Sequence, residues 1–129
     1  MTDVVLITGA GIGIGRAAAL AFAAAGHHVV VTDVLEPEGR AVVAEIAAAG
    51  GRAEFHRLDV RSTEAADALV AGIEARHGRI DIIVANAGIA HKVPLPELSD
   101  DKWDHTLDID LKGIFRVIRP ALPGMKARR

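Results

Sequence analysis

Four glycines at alternate positions, Gly9, Gly11, Gly13 and Gly15, stand in the segment TGAGIGIGR directly after the apolar run VVLI. Glycine loses more backbone freedom on folding than any other residue, so this density needs a compensating role. A glycine-rich turn between a strand and a helix supplies one. With no Cβ in the way, main-chain N–H groups, including those of Ile12 and Ile14, point at an anion, and the helix N-terminus adds partial positive charge. A carboxylate follows about 20 residues later, at Asp33, where it would accept hydrogen bonds from ribose hydroxyls. Together these residues point to the binding of a dinucleotide.

Spacing separates the known phosphate loops. A G-x-G-x-x-G pattern begun at Gly9 needs a third glycine where Ile14 stands, and begun at Gly11 it needs one at Arg16. A P-loop is excluded because Gly15 is followed by Arg16 and Ala17, not by Lys and Ser or Thr. What remains is T-G-x-x-x-G-x-G across Thr8, Gly9, Gly13 and Gly15.

The elements that must hold these residues follow from hydrophobic periodicity. Short apolar runs alternate with alanine-rich segments of helical period, the pattern of successive β-α units in an α/β fold with a parallel sheet. Strands are expected near Asp3–Thr8, His28–Asp33, Glu54–Asp59 and Ile80–Ala85, and helices near Gly13–Ala25, Glu38–Ala49 and Thr63–His77. Glycines at Gly26, Gly50 and Gly78 follow these helices, where a left-handed cap belongs, and Ser62 is an N-cap candidate. One further helix is expected from near Ser99 past Phe115 towards Pro120 or Pro123. The runs VVLIT, HVVVTD and DIIVANA suit strands covered on both faces, so a Rossmann-like doubly wound sheet with right-handed crossovers and strand order 3-2-1-4 is expected. The 129 residues form one domain on this reading, with no repeat or linker.

Composition narrows the partners. Lys and Arg number 15 against 17 Asp and Glu, a formal charge of -2, so nothing favours nucleic acid or an anionic membrane. Three Phe, one Trp and no Tyr make a base-stacking platform a poor fit. The absence of cysteine removes disulfides and thiolate chemistry. The longest apolar run, Ala17 to Ala25, is far shorter than the roughly 20 residues that span a bilayer, and the chain is read as a soluble cytoplasmic protein. Its six histidines show no H-E-x-x-H or similar local spacing, so no metal is expected. His91, in the loop after the fourth strand, is a candidate wall of the substrate site.

The T-G-x-x-x-G-x-G turn, Asp33 closing the second strand, Leu58-Asp59-Val60 after the third, Asn86-Ala87-Gly88 after the fourth, and Asp110-Leu111-Lys112-Gly113 occur in order. In this the sequence resembles the short-chain dehydrogenase/reductase family over its whole length. The resemblance implies a nicotinamide cofactor held by Thr8, Gly9, Gly11, Ile12, Gly13, Ile14, Gly15, Asp33, Val34, Asp59, Val60, Asn86, Ala87 and Gly88. Asp59 would meet the adenine amino group, and the Asn86 to Gly88 segment would turn under the cofactor ribose. NAD is favoured over NADP, because Asp33 would repel a 2′-phosphate, and Ile12 and Val34 stand where NADP-using relatives usually carry a basic residue.

The same resemblance implies hydride transfer between a secondary alcohol and a ketone, served by an Asn, a Ser and a Tyr-x-x-x-Lys pair. The chain has no tyrosine and ends at Arg129, before the fifth strand and helix that carry Ser and Tyr-x-x-x-Lys. Only the Asn position is reached, and Asp110 occupies it. The 129 residues are therefore expected to be inactive alone, with an apolar edge on the fourth strand, and assembly into dimers or tetramers is expected through the fourth helix. Two alternatives remain at this level: a non-catalytic NAD-binding or oligomerisation module, and a Rossmann-like methyltransferase, against which Thr8 and the Asn86-Ala87-Gly88 segment speak.

Overall fold

The computed structural model describes residues 2–129. Four parallel strands, β1 (Val4–Ile7), β2 (His28–Asp33), β3 (Arg52–Arg57) and β4 (Ile82–Val84), form one sheet in the order β3-β2-β1-β4. Helices α1 (Gly13–Ala24) and α2 (Glu36–Ala48) cover one face, and α3 (Thr63–His77) and α5 (Lys112–Arg128) the other, with α4 (Asp100–Asp110) leading into α5. The doubly wound topology and strand order are those expected from the sequence.

Alternation along the strands divides the core in two. Val5 and Ile7 of β1 with Val29 and Val31 of β2 pack on Ala19 and Ala23 of α1 and on Val42 and Ile46 of α2. Val4, Leu6 and Val30 face the other way, onto Ala66, Val70 and Ile73 of α3 and Val117 and Ala121 of α5. Each side chain of these two central strands thus has a helix to meet, which is why they read as unbroken apolar runs.

Three elements differ most from expectation, while β1, α1 and α2 shift by one or two residues at their ends. Strand β3 begins at Arg52 and ends at Arg57, because its ladder pairs His28 with Arg52 and Asp33 with Arg57; Leu58 and Asp59 belong to the loop beyond. Strand β4 is only Ile82–Val84. The single helix expected from Ser99 divides at Leu111, whose φ of -111° and ψ of -59° depart from helical values, and α5 continues through Pro120 and Pro123. Each proline forfeits an intrahelical bond, but the buried stripe Gly113, Arg116, Val117 and Ala121, at helical spacing, anchors α5 to the core. A Cβ at Gly113 would lie 2.7 Å from Val60 Cγ2, which shows how closely this helix approaches. The cap residues fall as expected: Gly26, Gly50 and Gly78 have positive φ, and Ser62 Oγ accepts the Ala65 N–H at 3.1 Å.

Arg79 and Asp81 pin the start of β4 to β1. Asp81 Oδ2 accepts the Val4 N–H at 2.8 Å, and both carboxylate oxygens accept from the Arg79 guanidinium at 2.6–2.8 Å. Burial would raise the Asp81 carboxyl, but the Arg79 guanidinium and the Val4 amide outweigh it and hold it below its ordinary value. A carboxyl depressed on folding stabilises above its unfolded pKa, and that contribution is lost as pH falls through the folded one. Asp81→Asn should therefore lower stability at neutral pH and flatten the acid limb of the stability curve, measured by urea unfolding between neutral and acidic pH.

The edge strand β3 is two-faced. Ala53 and Phe55 turn to the α2 side, whereas Glu54 sits at the centre of His28, His56, His77 and Arg76. Burial alone would raise the Glu54 carboxyl, but its bonds to His56, His77 and His28, with Arg76, bring it down to about 2. Among the described residues, no helix is long and apolar enough to cross a membrane.

Candidate functional site

A cleft of about 640 Å³ opens at the carboxyl ends of the strands, within the size range of small-molecule sites. Eleven of the residues expected to hold the cofactor line it: Gly9, Ile12, Gly13, Ile14, Asp33, Val34, Asp59, Val60, Asn86, Ala87 and Gly88. Leu35, Leu58, Ile89 and Ile109 complete the wall. Thr8, Gly11 and Gly15 stand behind it as supports.

The four glycines have different reasons to be glycine. Gly13 has φ +58° and nothing within 4 Å of a built Cβ, so it faces open space in a conformation that disfavours other residues. A Cβ at Gly9 would lie 2.8 Å from Ala87 Cα, and one at Gly15 would lie 2.6 Å from Asn86 Nδ2 and collide with the Gly9 carbonyl. These two allow the turn to close against the loop after β4. Gly11 meets Asp33: a Cβ there would be 3.0 Å from Asp33 Oδ2.

The anion-binding end is the start of α1. The Ile12 N-cap makes no side-chain cap bond, and the first intrahelical bond runs from Arg16 N–H to the Ile12 carbonyl. The amides of Gly13, Ile14 and Gly15 thus precede any intrahelical partner and carry the positive end of the helix dipole. Ile12 and Ile14 are exposed beside them, at 56% and 82%.

Asp33 is held at the same corner. Its side chain is buried, with Oδ2 accepting from Gly11 N–H at 2.8 Å and Oδ1 from Leu35 N–H at 3.0 Å. Two main-chain donors fix the rotamer and leave the remaining lone pairs for a ligand in the cleft. Val34 is the exposed neighbour, so no cation stands next to Asp33 in the chain.

Thr8 and Asn86 clamp the two sides of the floor. Thr8 Oγ1 accepts the Asn86 and Ala87 N–H groups, both at 3.0 Å, and Asn86 Nδ2 donates to the Thr8 and Gly9 carbonyls at 3.1 Å each. Thr8→Val keeps the volume but strips the acceptor from two amides. The expected loss is about 2–4 kcal/mol, measured by urea unfolding.

The comparisons with known proteins bear on this cleft. The family model described as short chain dehydrogenase matches residues 3–129. The chain belongs to that family. It is 42% identical over 120 residues to a (5R,7aS)-5-hydroxy-7a-methyl-1-oxo-2,3,5,6,7,7a-hexahydro-1H-indene-carboxyl-CoA reductase of Mycobacterium tuberculosis, covering 92% of this chain and 46% of the relative. It is 43% identical over 114 residues to a 3beta-hydroxysteroid dehydrogenase of Mediterraneibacter gnavus, covering 87% and 41%. A crystal structure of a metagenomic short-chain oxidoreductase in complex with NADP superposes with TM-score 0.92 at 38% identity, covering 98% of this chain and 57% of that one. The chain thus spans about half the length of the relatives it matches.

Within this chain, two residues expected at the site, one for the cofactor and one at the family Asn position, are already engaged. Asp59 grips Arg61: its carboxylate accepts from Arg61 Nε and Nη2 at 2.7–3.1 Å and from the Arg61 main-chain N–H at 3.0 Å, and the Arg61 guanidinium draws its pKa below the ordinary value. Arg61 was not foreseen, although the Asp-x-Arg spacing on a turn was its one available signal. Asp110, the last residue of α4, accepts the Ile89 N–H at 2.8 Å through Oδ1 and ties the loop after β4 to the break between α4 and α5. That is a positioning contact, made by a carboxylate that lies 3.4 Å from where a Gly88 Cβ would be. His91 does not line the cleft; its ring lies 5.8 Å from that of His105.

Proposed function

We propose that the cleft binds NAD and that this chain is the dinucleotide-binding half of an oxidoreductase acting between a secondary alcohol and a ketone. The observation that carries this is the joint placement of the uncapped α1 N-terminus and the Asp33 carboxylate at one corner. The amides of Gly13, Ile14 and Gly15 would hold the pyrophosphate, and Asp33 would accept from the adenosine ribose hydroxyls. Val60, Asn86, Ala87 and Gly88 would line the rest of the cofactor's course, with Asp59 reaching the adenine if it yields part of its pairing with Arg61. A 2′-phosphate would face the Asp33 charge with no cation beside it in sequence, which supports NAD over NADP, although two structural neighbours are in complex with NADP.

When bound, the nicotinamide supplies a hydride acceptor or donor. The residues of this chain bind and orient it, and Asp110 keeps the loop that faces it in place through Ile89. No tyrosine is present to move the proton of the alcohol oxygen. The second reading is a non-catalytic NAD-binding module, in which Asp110 serves only to hold the Ile89 amide. Calorimetric titration with NADH and NADPH, followed by assay of secondary alcohols with NAD, separates these readings: binding that prefers NADH without turnover is expected of the 129 residues, and turnover would show that another group moves the proton. No preference for NADH would contradict the assignment of NAD.

We also propose a cytoplasmic homo-oligomer acting on a small alcohol or carbonyl compound. Trp103, Leu107, Leu111, Phe115 and Leu122 are exposed along α4 and α5, an apolar surface suited to a second copy.

A further inference from the structure

At the opposite end of the sheet from the cleft, three side chains from three elements converge. His28 opens β2, the strand that Asp33 closes; Glu54 lies on the neighbouring β3; His77 ends α3. His28 Nε2 lies 3.1 Å and His77 Nε2 2.5 Å from the same oxygen, Glu54 Oε1, and the two imidazole centroids are 4.5 Å apart. All three potential ligand atoms lie within 4.8 Å of one another, and all three residues are half-buried. The other carboxylate oxygen is taken by Arg76 and His56, which leaves Oε1 to the histidine pair.

We propose that His28, Glu54 and His77 form a binding site for a divalent zinc-type ion, with a water as fourth ligand. Two imidazoles and a carboxylate are a donor set zinc accepts, whereas magnesium and calcium require mostly oxygen. Zinc bonds of about 2.0–2.1 Å place the ligands of a tetrahedral site about 3.3 Å apart. The two histidine-to-Glu54 spacings, 3.1 and 2.5 Å, are shorter than that figure, so the ligands would spread to admit the ion, and all three atoms lie within 4.8 Å of one another. Each histidine would present an unprotonated Nε2, with its proton on Nδ1. The ion would fasten the edge strand β3 and the end of α3 to β2. Arg76 weakens the site by its charge but holds Glu54 from the far side. Local spacing cannot show this cluster, because 26 residues separate His28 from Glu54 and 23 separate Glu54 from His77.

The test uses the metal-free chain with zinc chloride and cobalt chloride. Uptake of one ion per chain, a higher melting temperature, and a tetrahedral cobalt absorption spectrum are expected. His77→Gln should weaken zinc binding by about 100-fold or more, since losing even an outer-shell partner costs about 10–100-fold. His105→Gln, on α4, should leave it unchanged. If His77→Gln does not fold, X-ray absorption of the cobalt-loaded wild-type chain decides, with histidine nitrogens in the coordination shell expected. No saturable uptake, affinity indifferent to His77→Gln, or a shell of oxygens alone would overturn the proposal. NADH binding is read separately, so failure here leaves the nucleotide assignment standing.

Discussion

Replacing Asp33 by Asn should lower NADH affinity by about 10–100-fold while NADPH affinity stays the same or rises. The carboxylate would make charge-assisted bonds to ribose hydroxyls, each worth about 1.5–3 kcal/mol, and an amide oxygen recovers only part of one. At about 1.4 kcal/mol per tenfold, losing one such bond gives that range. The same change removes a negative charge from the place a 2′-phosphate would occupy, so the two cofactors should respond in opposite senses or to clearly different degrees. A cost in stability accompanies it, because Asp33 also accepts from Gly11 and Leu35, and an Asn must turn its NH2 towards one of those donors. About 1–2 kcal/mol is expected. Calorimetry with both nucleotides beside a thermal melt resolves the two effects; equal losses for NADH and NADPH would mean that Asp33 only supports the turn.

Gly15→Ala should be the most damaging single methyl group in the glycine turn. Its Cβ would collide with the Gly9 carbonyl and stand 2.6 Å from Asn86 Nδ2, and the Gly9 partner is backbone, which cannot swing aside. Overpacking against an immovable neighbour costs about 3 kcal/mol, or a fall of about 10 °C in Tm for a chain of this size. Gly13→Ala is the contrast. Its Cβ meets nothing within 4 Å, so only the left-handed penalty of about 1–2 kcal/mol applies, yet the methyl group would project into the space proposed for pyrophosphate. Gly15→Ala is thus expected to unfold early, and Gly13→Ala to fold but bind NADH weakly. Equal melting temperatures for the two would contradict the roles assigned to these glycines.

Much of this arrangement was legible in the sequence because its signals are local. The turn and α1 share one continuous segment, Asp33 ends an apolar run, and both lie at the carboxyl edge that a parallel sheet forms. What could not be read depends on side chains meeting across elements. The glycine repeat looked uniform, but Gly9 and Gly15 serve packing against Asn86 and Ala87, more than 70 residues away in sequence. The hydrogen bond from the Ile89 amide to Asp110 joins residues 21 apart on different elements, which spacing does not show. Pro120 and Pro123 suggested a helix end, yet the burial of Val117 and Ala121 carries α5 past both. The histidines looked scattered because β2, β3 and α3 each contribute one to the cluster around Glu54.

The central claim is that bare amides at the start of α1 and the Asp33 carboxylate together grip one dinucleotide. Amide chemical-shift mapping by NMR during NADH titration tests it most directly. The largest shifts should fall on Gly13, Ile14 and Gly15 and on Gly11 and Leu35, whose N–H groups report on Asp33. Saturation with those five amides unmoved, and the shifts gathered elsewhere on the chain, would contradict it.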